Sequence, residues 1–143
     1  MKNKLIALIA CMICILSVNA QEFETCKANP PIFVRAEKGA VYNGSLRSFF
    51  DKVLEDVKLN DGDTIKVNIL ISDDGSACCS AIKSKLSEQD IQFIKKSIDG
   101  MQGWSPAIQN GFKVNFWACI ELYMRKNKIV VAYTNKNPLQ PRR

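Results

Sequence analysis

"GWSPAIQNGFKVNFWACIELYMR" occupies Gly103 to Arg125, and its second half has the strongest strand signal in the chain. From Val114 onward the residues alternate strictly. Val114, Phe116, Ala118, Ile120, Leu122 and Met124 fall on one face, and Asn115, Trp117, Cys119, Glu121, Tyr123 and Arg125 on the other. That pattern predicts a long strand with one buried face. The first half is dense in backbone punctuation. Pro106 fixes the path and keeps Ser105 extended. Asn110-Gly111 supplies a positive-φ turn that launches the strand in register. Trp104 is expected to pack against the core. The junction reads as a structural joint.

Working outward, "KNK" at 126–128 turns the chain into a short strand, "IVVAYT". Upstream, "SEQDIQFIKKSIDGM" predicts a helix, with Ile91, Ile94, Ile98 and Met101 as its stripe. Ser87 and Asp90 form a capping-box-like start, and Gly100 stands at its end. Before it, "TIKVNILIS" alternates through Ile65, Val67, Ile69 and Ile71, with Leu70 out of phase. "SDDGS" is a hairpin signal, and "ACCSAIKS" is the return strand, although it alternates poorly. Asp73 and Asp74 suggest a metal loop, but a hairpin turn explains them better. Leu46, Phe49, Phe50, Val53, Leu54 and Val57 make the stripe of a first helix, capped by Asn43 or Ser45 and ended by "NDGD" at 60–63.

The expected fold is therefore α+β, in the order α-β-β-α-β-β. Two helices pack on one face of a small antiparallel sheet of three to four strands, with the first strand between the second and third. Residues 42–134 form the domain and 21–41 an extended lead-in. Residues 135–143, with Pro138 and Pro141, are an expected disordered tail.

The 143-residue chain is one domain's worth. Its first twenty residues read as a secretory signal: Lys2 and Lys4, an apolar run, and small residues before a cleavage point after Ala20. A lipoprotein signal ending at Cys11 is the weaker reading, because only six apolar residues precede that cysteine. A retained anchor is short of the roughly 20 residues that span a bilayer. The expected location is the periplasm or envelope. The formal net charge is +6, two units of which lie in Lys2 and Lys4. The basic residues are scattered without interleaved aromatics, which argues against nucleic-acid binding.

The chain has no histidine, which removes Ser-His-Asp triads, Cys-His dyads and His-ligated metals. No catalytic constellation, cofactor site, metal site or small-molecule substrate is expected. Cys26, Cys78, Cys79 and Cys119 remain beyond the signal, and in an exported chain they predict at least one disulfide. Three pairings are open. Adjacent strand residues face opposite ways, so one arrangement has one of Cys78 and Cys79 bonded to Cys119 and the other to Cys26. Trp117 and Tyr123 are the surface candidates. They are either covered by the lead-in or tail, or they flank a docking surface beside a free sheet edge. "IVVAYT" is placed to cap that edge.

The whole pattern resembles the C-terminal domain of TonB-type energy transducers. The resemblance rests on "VYNG" before the first helix, "VNILISDDGSA", and the W-x-P-A-x-x-N-G-x-x-V block of Trp104, Pro106, Ala107, Asn110, Gly111 and Val114. It covers about Tyr42 to Tyr133. It implies a periplasmic domain that adds an extended segment of an outer-membrane receptor to a sheet edge, with a receptor or motor component as partner. The family's long Pro-rich linker is replaced here by residues 21–41, which reach about 65 Å at most. The expected form is thus a stand-alone exported binding module. The other reading is a structural or secreted disulfide-containing domain with no transport role.

Overall fold

A computed structural model describes residues 20–22 and 26–134. Residues 1–19 of the expected signal at 1–20, residues 23–25 and the expected tail at 135–143 lie outside the described residues. The elements in chain order are β1 (Ala20–Glu22), β2 (Ile32–Phe33), β3 (Val41–Tyr42), α1 (Leu46–Val53), β4 (Thr64–Ile71), β5 (Ala77–Lys83), α2 (Glu88–Asp99), β6 (Trp104–Ser105), β7 (Ala107–Gln109), β8 (Phe112–Arg125) and β9 (Lys128–Thr134).

The expected small antiparallel sheet is overturned. Among the described residues there is a seven-stranded sheet, with a separate two-stranded sheet of β3 and β6. The large sheet is mixed, because β2 runs parallel to β8. Its antiparallel centre is β5-β4-β8-β9. The unforeseen strands come from the lead-in and from the junction at 103–111. Each is two or three residues long, too short to show a period-2 pattern. The lead-in is thus woven into the fold, through a Pro30-Pro31 step in the cis form.

The inner face of the sheet follows from register. Ile65, Val67, Ile69 and Ile71 of β4 stand opposite Leu122, Ile120, Ala118 and Phe116 of β8. These side chains share one buried cluster with Phe50 and Val53 of α1 and Ile91, Ile94 and Ile98 of α2. Both helices begin as their sequences dictate. The Ser45 hydroxyl accepts from the Ser48 N–H and the Ser87 hydroxyl from the Asp90 N–H, each satisfying one orphan donor of a first turn. Asp73 and Asp74 serve the β4–β5 turn. The Asp74 carboxylate accepts from both the hydroxyl and the N–H of Ser76, which holds its pKa below the usual value.

The poor alternation of β5 has a local cause. Asn68 pairs with Ala81 but Ile69 with Cys79, so Ser80 is an extra residue on β5. Such a bulge shifts the inward phase. Ala77 and Cys79 face the helices before it, and Ile82 after it. The Cys79 N–H, beside the bulge, donates to Asp99 Oδ1 at the end of α2, 2.7 Å away. Lys95 pairs with that same carboxylate.

The outer face is not solvent-facing throughout, as a half-buried strand would require. Leu70 points away from the helices yet is 1% exposed. The lead-in accounts for this. Cys26 is bonded to Cys78 of β5, which stands opposite Leu70. Three residues later the Asn29 carbonyl accepts from the Asn115 side chain of β8. Two interstrand steps cover about 9.6 Å, and three extended residues reach about 10 Å. Residues 26–29 therefore cross the outer face over β4 on a diagonal, from Cys78 opposite Leu70 to Asn115, two residues from the Trp117 that faces Leu70 on β8.

Candidate functional site

Every sheet that does not close on itself has edges whose backbone donors and acceptors must be covered or left for a partner. The lead-in covers most of them here. β1 pairs antiparallel with Ala81–Lys83 at the outer side of β5. β2 pairs with Asn115 and Phe116 on the side of β8 away from β4. Lys38 exchanges both backbone hydrogen bonds with Ile108 of β7, at 2.9 and 3.1 Å. β9 lies on the same side of β8 as β2, further along it, and among the described residues it pairs with β8 alone. Its outer row of backbone groups is the open edge.

That edge is held at both ends. At its start Lys126 and Asn127 have φ of 50° and 58°, a two-residue turn of the kind that matches strand twist. The Lys126 N–H donates to the Asp61 carboxylate. At its far end the Tyr133 hydroxyl donates to the Ala40 carbonyl at 2.7 Å, and burial pushes its pKa up to about 12. The Tyr133 ring lies 6.1 Å from that of Trp104, which in turn lies 5.3 Å from Tyr42. Both ends of the strand are thus tied to the body of the domain.

The expected surface pair does not come together. Trp117 stands opposite Leu70 on the outer face, half-buried where residues 26–29 cross. Tyr123 stands opposite Val130 of β9 and does flank the open edge. Six strand residues, about 20 Å, separate the two. A groove of about 490 Å³ runs along the start of β9, lined by Arg47, Arg125, Lys126 and Lys128 and by residues 129–131. Val130 is among the exposed apolar side chains. These residues were missed because three of the basic ones sit in or beside a turn, where charge is ordinarily just solvation.

The joint residues keep a structural role. Trp104 and Ala107 are buried. Asn110 and Gly111 have φ of 52° and 78°, and Gln109 pairs with Phe112 across them. Val114 packs at the margin of the core. Pro106 lies beside Gly75, whose φ is +86° and whose hydrogen points at the Trp104 carbonyl. The Trp104 Nε1 has no hydrogen-bond partner among the described residues.

Of the cysteines, Cys26 and Cys78 form a disulfide, while Cys79 and Cys119 are buried thiols. The arrangement with a bond to Cys119 fails because β4 separates β5 from β8. Cys78 and Cys119 share the outer face but are two strands apart, about 9.6 Å, beyond the roughly 7 Å a bridge allows. Cys79 faces the helices. Burial, with the Asp99 carboxylate second, pushes its pKa up to about 12, the opposite of what a nucleophile needs. Among the described residues no three His, Cys, Asp or Glu side chains gather as a metal site, and no helix is long and apolar enough to cross a membrane. A second concavity of about 480 Å³ near the start of α2 mixes Lys58, Lys66, Lys83 and Lys85 with Asp63 and Asp90, so both signs of charge line it.

Compared with protein-family models, curated proteins and solved structures, the chain matches none.

Proposed function

We propose that this protein is an exported binding module of the cell envelope that holds an extended segment of another protein by strand addition. The partner segment belongs to an outer-membrane receptor or a motor component, and the module takes part in transport across the outer membrane. One observation carries the reading: β9 presents an open edge that is tied down at both ends, while the lead-in pairs with much of the remaining edge. Main-chain hydrogen bonds to that edge supply affinity, and the side chains flanking it supply selection. The W-x-P-A-x-x-N-G block of the sequence supports the same reading, since it resembles that of TonB-type domains.

The test is site-specific photo-crosslinking in the envelope. A photoreactive residue at Val130 should trap a receptor or motor protein. The same group at Phe93, exposed on α2, should not. Equal yields from both positions, or none from Val130 in an envelope rich in receptors, would leave a stand-alone structural domain as the better reading.

A further inference from the structure

We infer that the concavity beside the start of α2 is a binding site for a small organic anion, a carboxylate carried on a short aliphatic body. The inference stands apart from strand addition, since none of the lining residues belongs to β9. Two loops form the walls. The first, 58–63, is pinned to β8: the Gly62 N–H donates to the Met124 carbonyl at 2.9 Å, and the Met124 N–H to the Asp63 carbonyl at 3.0 Å. The second, 84–87, ends in Ser87, the cap of α2. The space between them is about 480 Å³, within the roughly 300–1,000 Å³ of small-molecule sites. Such sites combine apolar lining with a few placed polar groups. Ile65, Leu59 and Leu86 supply the apolar part, the first buried and the two leucines packed at the margin of the core.

The polar part centres on Ser84, which lines the space and is 4% exposed. Its oxygen accepts from the Leu86 N–H at 3.3 Å, and its hydroxyl hydrogen has no acceptor among the described residues. A buried donor left so costs free energy that an incoming acceptor recovers. The charges around it are unequally committed. Asp63 accepts from the Asn60 N–H at 2.8 Å, and Asp90 from the Ser87 hydroxyl at 2.7 Å. Lys66 lies 2.9 Å from Glu121. Lys58, Lys83 and Lys85 have no ion pair among the described residues. Lys83 also stands opposite Lys66 in register, and like charges directly opposite destabilise a sheet. Four ammonium groups thus line the space with two carboxylates that already have donors. The ligand this set selects is an anion that accepts hydrogen bonds, and the leucines select the carbon attached to it. Two exposed ion pairs with one charge-assisted hydrogen bond shift affinity about tenfold.

Proton–nitrogen correlation spectra of the purified protein, titrated with hexanoate, 1-hexanol, hexylammonium or inorganic phosphate, test this. Hexanoate should move the amide signals of residues 58–66 and 83–90 along one saturable curve. It should bind about tenfold tighter than hexanol or hexylammonium, and more tightly than phosphate. Raised salt should narrow its lead over hexanol. Lys83→Gln with Lys85→Gln should remove that lead without lowering the melting temperature, because Lys83 is only repelled by Lys66. Ser84→Ala should weaken hexanoate about threefold and leave hexanol unchanged. Equal affinity for hexanoate and hexanol overturns the anionic half of the inference. Phosphate binding as tightly as hexanoate overturns the aliphatic half. Tighter binding of hexylammonium, or signals that do not move at millimolar hexanoate, overturns the whole.

Discussion

Removing the Cys26–Cys78 bond, by Cys26→Ser with Cys78→Ser, is expected to cost the protein a large share of its stability. The bond closes a loop of 52 residues. Loop-closure entropy for that length gives about 4 kcal/mol at 25 °C, against total stabilities of about 5–15 kcal/mol for domains of this size. Both cysteines are half-buried, so the hydroxyls themselves add little. The assay is urea unfolding followed by far-UV circular dichroism on the oxidised, reduced and doubly substituted proteins. With a slope near 1.5 kcal/mol/M, the midpoint should fall by roughly 2–3 M. The slope itself should rise, because the uncrosslinked chain expands further on unfolding. The reduced and substituted proteins should coincide. A midpoint shift below about 0.5 M would refute the reasoning, since a strap that fixed residues 26–29 across β4 could not then be part of the cooperative unit.

Gly75→Ala and Gly111→Ala should separate two kinds of glycine. Both positions have positive φ, but only a Cβ at Gly75 meets the Trp104 carbonyl, at 2.6 Å, while one at Gly111 meets nothing within 4 Å. Gly111→Ala should cost about 1–2 kcal/mol in the same urea assay, and Gly75→Ala clearly more. Trp104→Ala removes a buried ring between two tyrosines and should cost about 3–5 kcal/mol, read as a lowered thermal midpoint. Stability should also fall in alkali. Cys79 and Tyr133 have folded pKa values raised to about 12 from 9.0 and 10.0. Below pH 9 both states hold these protons and nothing is lost. Between about pH 9 and 12 the unfolded chain releases protons that the folded one keeps, so stability declines. Tyr133→Phe with Cys79→Ala should flatten that decline in unfolding curves taken from pH 8 to 11. Native Cys79 should also resist alkylation at pH 8 and react only when the protein is unfolded.

The longer elements were legible in the sequence because each repeats a burial period. α1, α2, β4 and β8 have one continuous stripe or one alternating face apiece. β5 was only half legible, and the bulge at Ser80 explains the broken phase. The architecture was not legible, and the reason is the lead-in. Residues 26–42 carry a Pro-Pro pair and no period, yet they supply a disulfide, the parallel strand β2, the bridge to Ile108 and strand β3. Their partners are 52 to 83 residues away, and no local pattern encodes such contacts. Leu70, out of phase in an otherwise alternating strand, was the visible trace of a covered outer face. Of the two surface candidates, alternation put both on the outer face, but only Tyr123 lies beside the open edge, while Trp117 lies opposite Leu70. The open edge and its basic groove depend on which strand ends the sheet, and that is a property of the topology.

Amide hydrogen exchange across residues 128–134, with and without the partner segment trapped at Val130, tests the central claim most directly. In an edge strand every second residue turns its N–H outward. Strand addition at β9 therefore predicts slowed exchange at alternate residues of β9 alone, with the intervening amides, already bonded to β8, unchanged. Protection spread evenly over the strand, or appearing only at the outer edge of β5 with β9 untouched, would contradict it.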